Sequence, residues 1–236
     1  SKPNEAIDQS AYICYESQKL GIIRELFAEP TDSKTIIFSS SKMKVKELAH
    51  TLKRMKLNVA AMHSDLEQAQ REEVMLAFKN NKVNILVATD IVARGIDIED
   101  IGLVINYDVP HDPEDYIHRI GRTARAAATG SAITFVCEEE QGKFHTIEKF
   151  IEREIRKADL PESVGEGPKY NPEAFSGRGK GRGGRSKGGD GRGHGRGRRD
   201  RLRDNRGRSS SSTAPAPSPS AAETAPAGGA VPAAAD

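Results

Sequence analysis

The sequence predicts an α/β domain with a mostly parallel sheet, helices on both faces, and a disordered C-terminal tail. Three observations carry that expectation. Short apolar runs recur through residues 1–175 with amphipathic helical patterns between them, which is the alternation that βαβ units produce. Several runs, such as IIF (36–38) and ILVA (85–88), are apolar at every position, as strands buried on both faces require. After Ser176 aliphatic residues nearly vanish and Gly, Arg, Ser, Pro and Ala take over, leaving nothing to bury.

The elements follow in order. IDQSAYICY (7–15) reads as the first strand. Ser17 can cap a helix over QKLGIIRELFAE, where Leu20, Ile23, Leu26 and Phe27 keep one face apolar. KTIIFSS (34–40) is the second strand, and Ser41 can cap KMKVKELAHTLKRMK, with Val45, Leu48, Ala49 and Leu52 in one stripe. NVAAMH (58–63) is followed by a helix capped by Asp65 that turns Val74, Ala77 and Phe78 inward. NILVAT (84–89), GLVINYD (102–108) and GSAITFVC (130–137) complete the strands. Pro113 suits the first turn of PEDYIHRIGRT, and FHTIEKFIERE is the last helix. We expect one domain over 1–160, a linker over 161–175, a Gly/Arg-rich tail over 176–208 and a Ser/Ala/Pro-rich tail over 209–236.

Net charge separates body from tail. Residues 1–175 hold 23 Lys and Arg against 29 Asp and Glu, a net of −6, whereas 176–208 hold 13 against 3, a net of +10. A cationic arm on a mildly acidic body favours a polyanion, RNA or DNA first. Its Gly-Arg steps can neutralise phosphates and stack on bases with little sequence preference; the alternative is a solubilising linker that touches nothing. Cys14 and Cys137 lie in apolar alternating runs, as small buried hydrophobes of a reducing, cytoplasmic compartment do; a disulfide is the less favoured reading. Neither the cysteines nor the six histidines form a metal-ligand spacing. No apolar run approaches the roughly 18 residues of a membrane span, and no basic-then-apolar leader is present. A monomer is expected. The first residues, SKPNEAIDQ, lack Met and lie close to a strand, which suggests a piece of something longer.

In open parallel sheets ligands sit beyond the carboxyl ends of the strands, and four polar clusters follow such ends or lie on helices just past them. In ATDIVARGID (88–97), Thr89 and Asp90 offer a hydroxyl and a carboxylate. Gly95 lets backbone approach a ligand, and Asp97 can accept from a sugar hydroxyl. The alternative is a capped turn with a surface pair between Asp90 and Arg94. HRIGRTAR (118–125) spaces Arg119, Arg122 and Arg125 three apart. Such cations repel unless an anion meets them, and the guanidinium fork suits phosphate; otherwise they pair with Asp112, Glu114 or Asp115. In HSDLEQAQR (63–71), Gln68 and Arg71 share a face near a helix start, where a phosphate is favoured, unless Glu67 and Arg71 simply pair. Ser39, Ser40 and Ser41 end a strand and can contact backbone phosphate, although Ser41 also suits a plain cap. Nothing resembles a GxxxxGK[ST] loop with its magnesium carboxylate. The arginines can therefore finish a triphosphate site held elsewhere, as arginine fingers do, but cannot build one.

Taken together, TIIFSSSK, HSDLEQAQR, ATDIVARGID, VINYDVP and HRIGRTARA resemble motif IV, the His-Gly-Asp…Gln-x-x-Arg segment, motif V with its extension, and motif VI of DEAD-box RNA helicases of superfamily 2. The likeness covers about residues 5–155 and is to the C-terminal RecA-like domain, a three-layer sandwich. Ala124 and the Gly/Arg-rich tail are most similar to the bacterial RhlE-type subgroup. Ser64 stands where Gly is usual, and Ser39–Ser41 where many members carry Thr. The resemblance implies that Arg122 and Arg125 reach the γ-phosphate and that Asp97 contacts the ATP ribose. It implies that His118 and Arg119, with Gly95 nearby, belong to the ATP side and its link to the partner domain. Ser39, Ser40, Gln68, Arg71, Thr89, Asp90 and Arg94 would hold the RNA backbone. ATP and Mg2+ would be held mainly by an N-terminal RecA-like domain, and the pair would separate short duplexes. Two other readings stay open: a non-catalytic RNA-binding module and a DNA translocase of the same superfamily.

Overall fold

The computed structural model describes residues 6–94, 101–123 and 129–175. Contacts divide the chain into two units, Ser1–Gly184 and Arg185–Asp236; the second lies wholly outside the described residues.

Among the described residues seven parallel strands form one sheet. They are β1 (Ile7–Ile13), β2 (Lys34–Phe38), β3 (Val59–Met62), β4 (Ile85–Ala88), β5 (Ile101–Asn106), β6 (Gly130–Val136) and a two-residue β7 (Arg156–Lys157). The order across the sheet is β3-β4-β2-β5-β6-β1-β7, and every pairing is parallel. The helices are α1 (Lys19–Leu26), α2 (Lys42–Arg54), α3 (Gln68–Lys79), the one-turn α4 (Asp90–Ala93), α5 (Pro113–Ile120) and α6 (Gln141–Ile151). Alternate residues of one strand feed opposite faces. Ile37, Ile85, Val87 and Ile105 pack with Ile22, Ile23, Val45 and Leu48 of α1 and α2. Ile36, Leu86 and Val104 pack with Phe78 of α3 and Ala93 of α4, while β1 and β6 meet α5 and α6 through Ala11, Tyr116 and Phe144. The expected three-layer α/β architecture is therefore present. Among the described residues no helix is long and apolar enough to cross a membrane.

Local signals account for some boundaries and not others. Ser41 caps α2, its hydroxyl accepting from Lys44 N–H at 3.2 Å, and Pro113 opens α5. Ser17 does not cap α1. A single 3-10 turn, Glu16–Gln18, comes first, and Gln18 Oε1 accepts from Tyr15 N–H at 2.9 Å. Asp65 does not cap α3 either, because Lys42 and Lys46 hold its two oxygens at 2.7 and 2.5 Å. Glu67 takes the cap, with Gln70 Oε1 accepting from its N–H at 2.9 Å.

Residues 161–175, expected as a linker, lie against the domain. Gln18 Nε2 donates to Val164 O and Glu166 O, both at 2.9 Å. Gln141 Nε2 donates to Lys169 O at 2.9 Å, and Asn171 N–H donates to Gln141 Oε1 at 2.7 Å. Tyr170 stacks edge-on against Phe144 and donates to Glu148 Oε2 at 2.6 Å. The segment is polar in composition, but two buried glutamines satisfy its backbone and one tyrosine anchors it.

Candidate nucleotide and nucleic-acid edge

Because all strands run the same way, their carboxyl ends deliver Ser39 and Ser40 (after β2), His63 (after β3), Thr89 and Asp90 (after β4) and Asn106 to Asp108 (the end of β5 and just beyond) to one edge. There α5 supplies Arg119, which is 3% exposed. Its Nε and Nη2 donate to Asp90 Oδ1 and Oδ2 at 2.6 and 2.7 Å. Its Nη1 donates to Asn106 Oδ1 at 3.1 Å and Asp108 O at 3.0 Å. The guanidinium also stacks 5.1 Å above the Phe38 ring. Asn106 in turn donates to Thr134 Oγ1 at 3.1 Å. The fork that could have met phosphate is thus filled from inside, since burial of an unpaired guanidinium is costly. Arg119 fixes α5 to the ends of β4 and β5 and does not face a ligand. Asp90 faces Arg119 with both oxygens, so the alternative reading of this stretch, an Asp90–Arg94 surface pair, does not hold. Arg94 pairs instead with Asp115 at 2.5 Å.

Asp108 is the second centre of the edge. Ser39 Oγ and Ser40 N–H donate to its Oδ2 at 2.9 and 2.8 Å. Lys44 Nζ lies 3.0 Å and Lys19 Nζ 3.6 Å from its Oδ1. Burial alone would raise the carboxyl, but Lys44, the Ser40 N–H, Lys19 and Ser39 outweigh it and bring its pKa down to about 2. Lys19 is fully buried. Burial opposes its charge, yet Glu16 at 2.7 Å and the acidic groups around it push its pKa up. Composition did not single out Asp108, Asn106, Lys19 or Lys44. The one available signal was the polar NYD that closes an otherwise apolar strand.

The remaining expected residues divide. Ser39 is buried under Asp108, while Ser40 is exposed. Gln68 donates to Glu72 Oε1 at 3.0 Å. Arg71 is drawn to Leu66 O and Ser64 O at 3.1 and 3.3 Å, so it braces the loop after β3 and makes no pair with Glu67. Thr89 is half-buried just before α4 and His118 is exposed on α5. Arg122 is half-buried past the end of α5, its N–H donating to Arg119 O at 3.1 Å. Gly95, Asp97 and Arg125 lie outside the described residues. The edge therefore offers a charge-paired floor, Arg119 with Asp90 and Asp108 with Lys44 and Lys19, beside which lie the exposed Ser40 and His118 and the half-buried Thr89. Among the described residues no cluster of three or more His, Cys, Asp or Glu could hold a metal ion.

Residues 18–127 match the family described as helicase conserved C-terminal domain. A DEAD-box ATP-dependent RNA helicase, CshA of Geobacillus kaustophilus, is 42% identical over 147 residues, covering 62% of this chain and 32% of its own length. The C-terminal domain of the DEAD-box protein Dbp5 is 33% identical with a TM-score of 0.59, over 65% of this chain and 90% of that one. Saccharomyces cerevisiae Dbp5 L327V bound to RNA and ADP BeF3 is 32% identical with a TM-score of 0.61, over 66% of this chain and 42% of that one. The chain spans about a third of the length of the curated relatives it matches first.

Proposed function

The chain belongs to the family of DEAD-box helicase C-terminal domains, and from that membership we propose that it serves as the second RecA-like half of an ATP-dependent RNA helicase. In this reading ATP and Mg2+ bind mainly to an N-terminal RecA-like domain, ATP and RNA together close the two domains, and ATP supplies the γ-phosphoryl group that is transferred to water. This chain closes over that site from its carboxyl edge. The observation that carries the reading is the network Asp90–Arg119–Asn106/Asp108–Ser39/Ser40. It ties the loop after β2, where RNA backbone would lie, to the helix that leads into Arg122.

Residue roles follow from position. Arg119 and Asp90 hold the end of α5 in place. Arg122, with Arg125, acts as a finger that stabilises charge on the γ-phosphate oxygens, a contribution of about 10³–10⁵ in rate where such fingers have been removed. Asp97 contacts the ribose, and Gly95 allows close backbone approach. His118 lies on the partner-domain side. Ser40, Gln68, Arg71, Thr89 and Arg94 line the RNA side, where Ser40 is exposed and Ser39 orients it through Asp108. These contacts read backbone and not bases. Ala124 and the Gly/Arg-rich tail support placement near the bacterial RhlE-type subgroup, and a cytoplasmic, monomeric enzyme is the consistent setting.

The test is Arg122→Ala in the full-length protein. ATP hydrolysis should fall by about 10³ or more, with RNA binding in the absence of nucleotide retained. Normal turnover would remove the finger assignment. The isolated chain should show negligible ATP hydrolysis, and strong turnover by it would overturn the division of labour.

A further inference from the structure

Cys14 and Cys137 take no part in the edge described above, yet the fold sets them side by side. β1 ends at Ile13 and β6 at Val136, which are register partners, and each cysteine follows by one residue. Cys14 N–H donates to Val136 O at 3.0 Å, so the alignment continues past the last assigned pair. Tyr12 and Phe135, also register partners, put their rings together at 6.1 Å. Side chains alternate along a strand, so Cys14 and Cys137, each two residues further on, share that face. The two thiols are close enough that each is the largest influence on the acidity of the other. Neighbouring strands lie about 4.8 Å apart, inside the roughly 4.4–6.8 Å Cα separation that a disulfide spans.

The surroundings give the two sulfurs different characters. Cys14 is fully buried and Cys137 is 3% exposed. The neighbouring Cys137 sulfur pushes the Cys14 thiol down against its burial, with Lys19 adding to the effect. Cys137 is pushed up by the neighbouring Cys14 and by burial. Its Sγ lies 3.4 Å from Glu16 Oε2, and the Glu16 side chain is 58% exposed, which puts the pair one residue contact from solvent.

We propose that Cys14 and Cys137 form a redox pair that closes to an intrasheet disulfide when the chain meets a peroxide. The Cys14 thiolate attacks one peroxide oxygen; the O–O bond breaks, hydroxide leaves, and Cys14 becomes a sulfenic acid. The Cys137 sulfur then attacks the Cys14 sulfur, forming the S–S bond and breaking the S–O bond. The departing hydroxide takes the Cys137 proton as water. In sum two thiols lose two electrons and two protons, and one hydrogen peroxide becomes two waters. The usual spacing of paired strands falls within the span of a disulfide, so the bridge would tie the carboxyl ends of β1 and β6. It also ends the Cys137 contact with Glu16, the partner of buried Lys19.

The test uses the reduced chain, whose only cysteines are these two. It is treated with hydrogen peroxide, denatured, alkylated and weighed intact. Expected is joint protection of both cysteines with loss of two hydrogens, reversal by dithiothreitol, and a peptide joining the Cys14 and Cys137 segments. Cys137→Ser should stop at a sulfenic acid on Cys14 that dimedone traps. Two free thiols after a dose that fully oxidises a dithiol control would overturn the proposal, as would linkage between chains or overoxidation without a bridge. The parent measurement stands even if the variant fails to fold.

Discussion

Arg119 and Asp90 meet fork to carboxylate, with Nε–Oδ1 at 2.6 Å and Nη2–Oδ2 at 2.7 Å, and the arginine is 3% exposed. Removing one partner of a buried pair leaves an uncompensated charge, a loss of about 3–5 kcal/mol. Arg119→Ala should therefore lower stability by that order, read as a shift of the urea midpoint with an unchanged slope. Arg119→Lys keeps the charge but cannot reach Asp90, Asn106 and Asp108 O together, so it should recover only part of the loss. A Lys variant as stable as the parent would show that the fork geometry contributes nothing.

That pair also shows what a sequence can reveal and where it stops. Ser41 and Pro113 were legible because a cap and a first-turn proline depend on residues within one turn. Ser17 and Asp65 were not, because the competing acceptors Gln18 and Glu67 won through partners chosen elsewhere: Lys42 and Lys46 draw Asp65 away. The arginine spacing in HRIGRTAR pointed to an anion, and for Arg119 the anion proved to be the chain's own Asp90, 29 residues away. Such a pairing depends on β4, β5 and α5 ending at one place, which periodicity does not encode. The docking of 161–175 was hidden for the same reason.

Asp108 should make stability depend on acidity. Its folded pKa of about 2 lies below the ordinary 3.8. A depressed carboxyl stabilises the fold above its unfolded pKa and loses that contribution as pH falls through the folded value. The contribution, about 2 kcal/mol, is thus complete above about pH 4 and gone below about pH 2. Asp108→Asn should remove the drop across that window, measured by denaturant unfolding at stepped pH. An identical drop in the variant would assign it to other carboxylates.

Two glycines should respond differently to one added methyl. A Cβ on Gly130 would stand 1.7 Å from Thr123 Oγ1 and 2.7 Å from Thr123 Cβ. Thr123 is 1% exposed and donates to Ile101 O at 2.6 Å, so it has no room to turn. A Cβ on Gly102 would meet Ser33 Oγ at 2.0 Å, but Ser33 is exposed and its hydroxyl can rotate away. Gly130→Ala should cost about 1–3 kcal/mol or more, and Gly102→Ala should stay within about 0.5 kcal/mol of the parent. Equal thermal midpoints for the two variants would contradict this.

The Gly/Arg-rich segment should set the salt dependence of RNA binding. Residues 176–208 carry 13 Lys and Arg against 3 Asp, while 1–175 carry a net of −6. Each phosphate neutralised on a single strand adds about −0.7 to the slope of log affinity against log salt. The edge of the domain offers few such contacts, because Arg119, Lys42 and Lys46 are held by the chain's own carboxylates. Deleting 176–236 should therefore weaken binding to single-stranded RNA most at low salt and flatten the slope, leaving the shallow dependence of the domain edge alone. Fluorescence anisotropy across a salt series measures both. If the truncated chain keeps the parent slope, the phosphate contacts lie on the domain and the tail carries none of them.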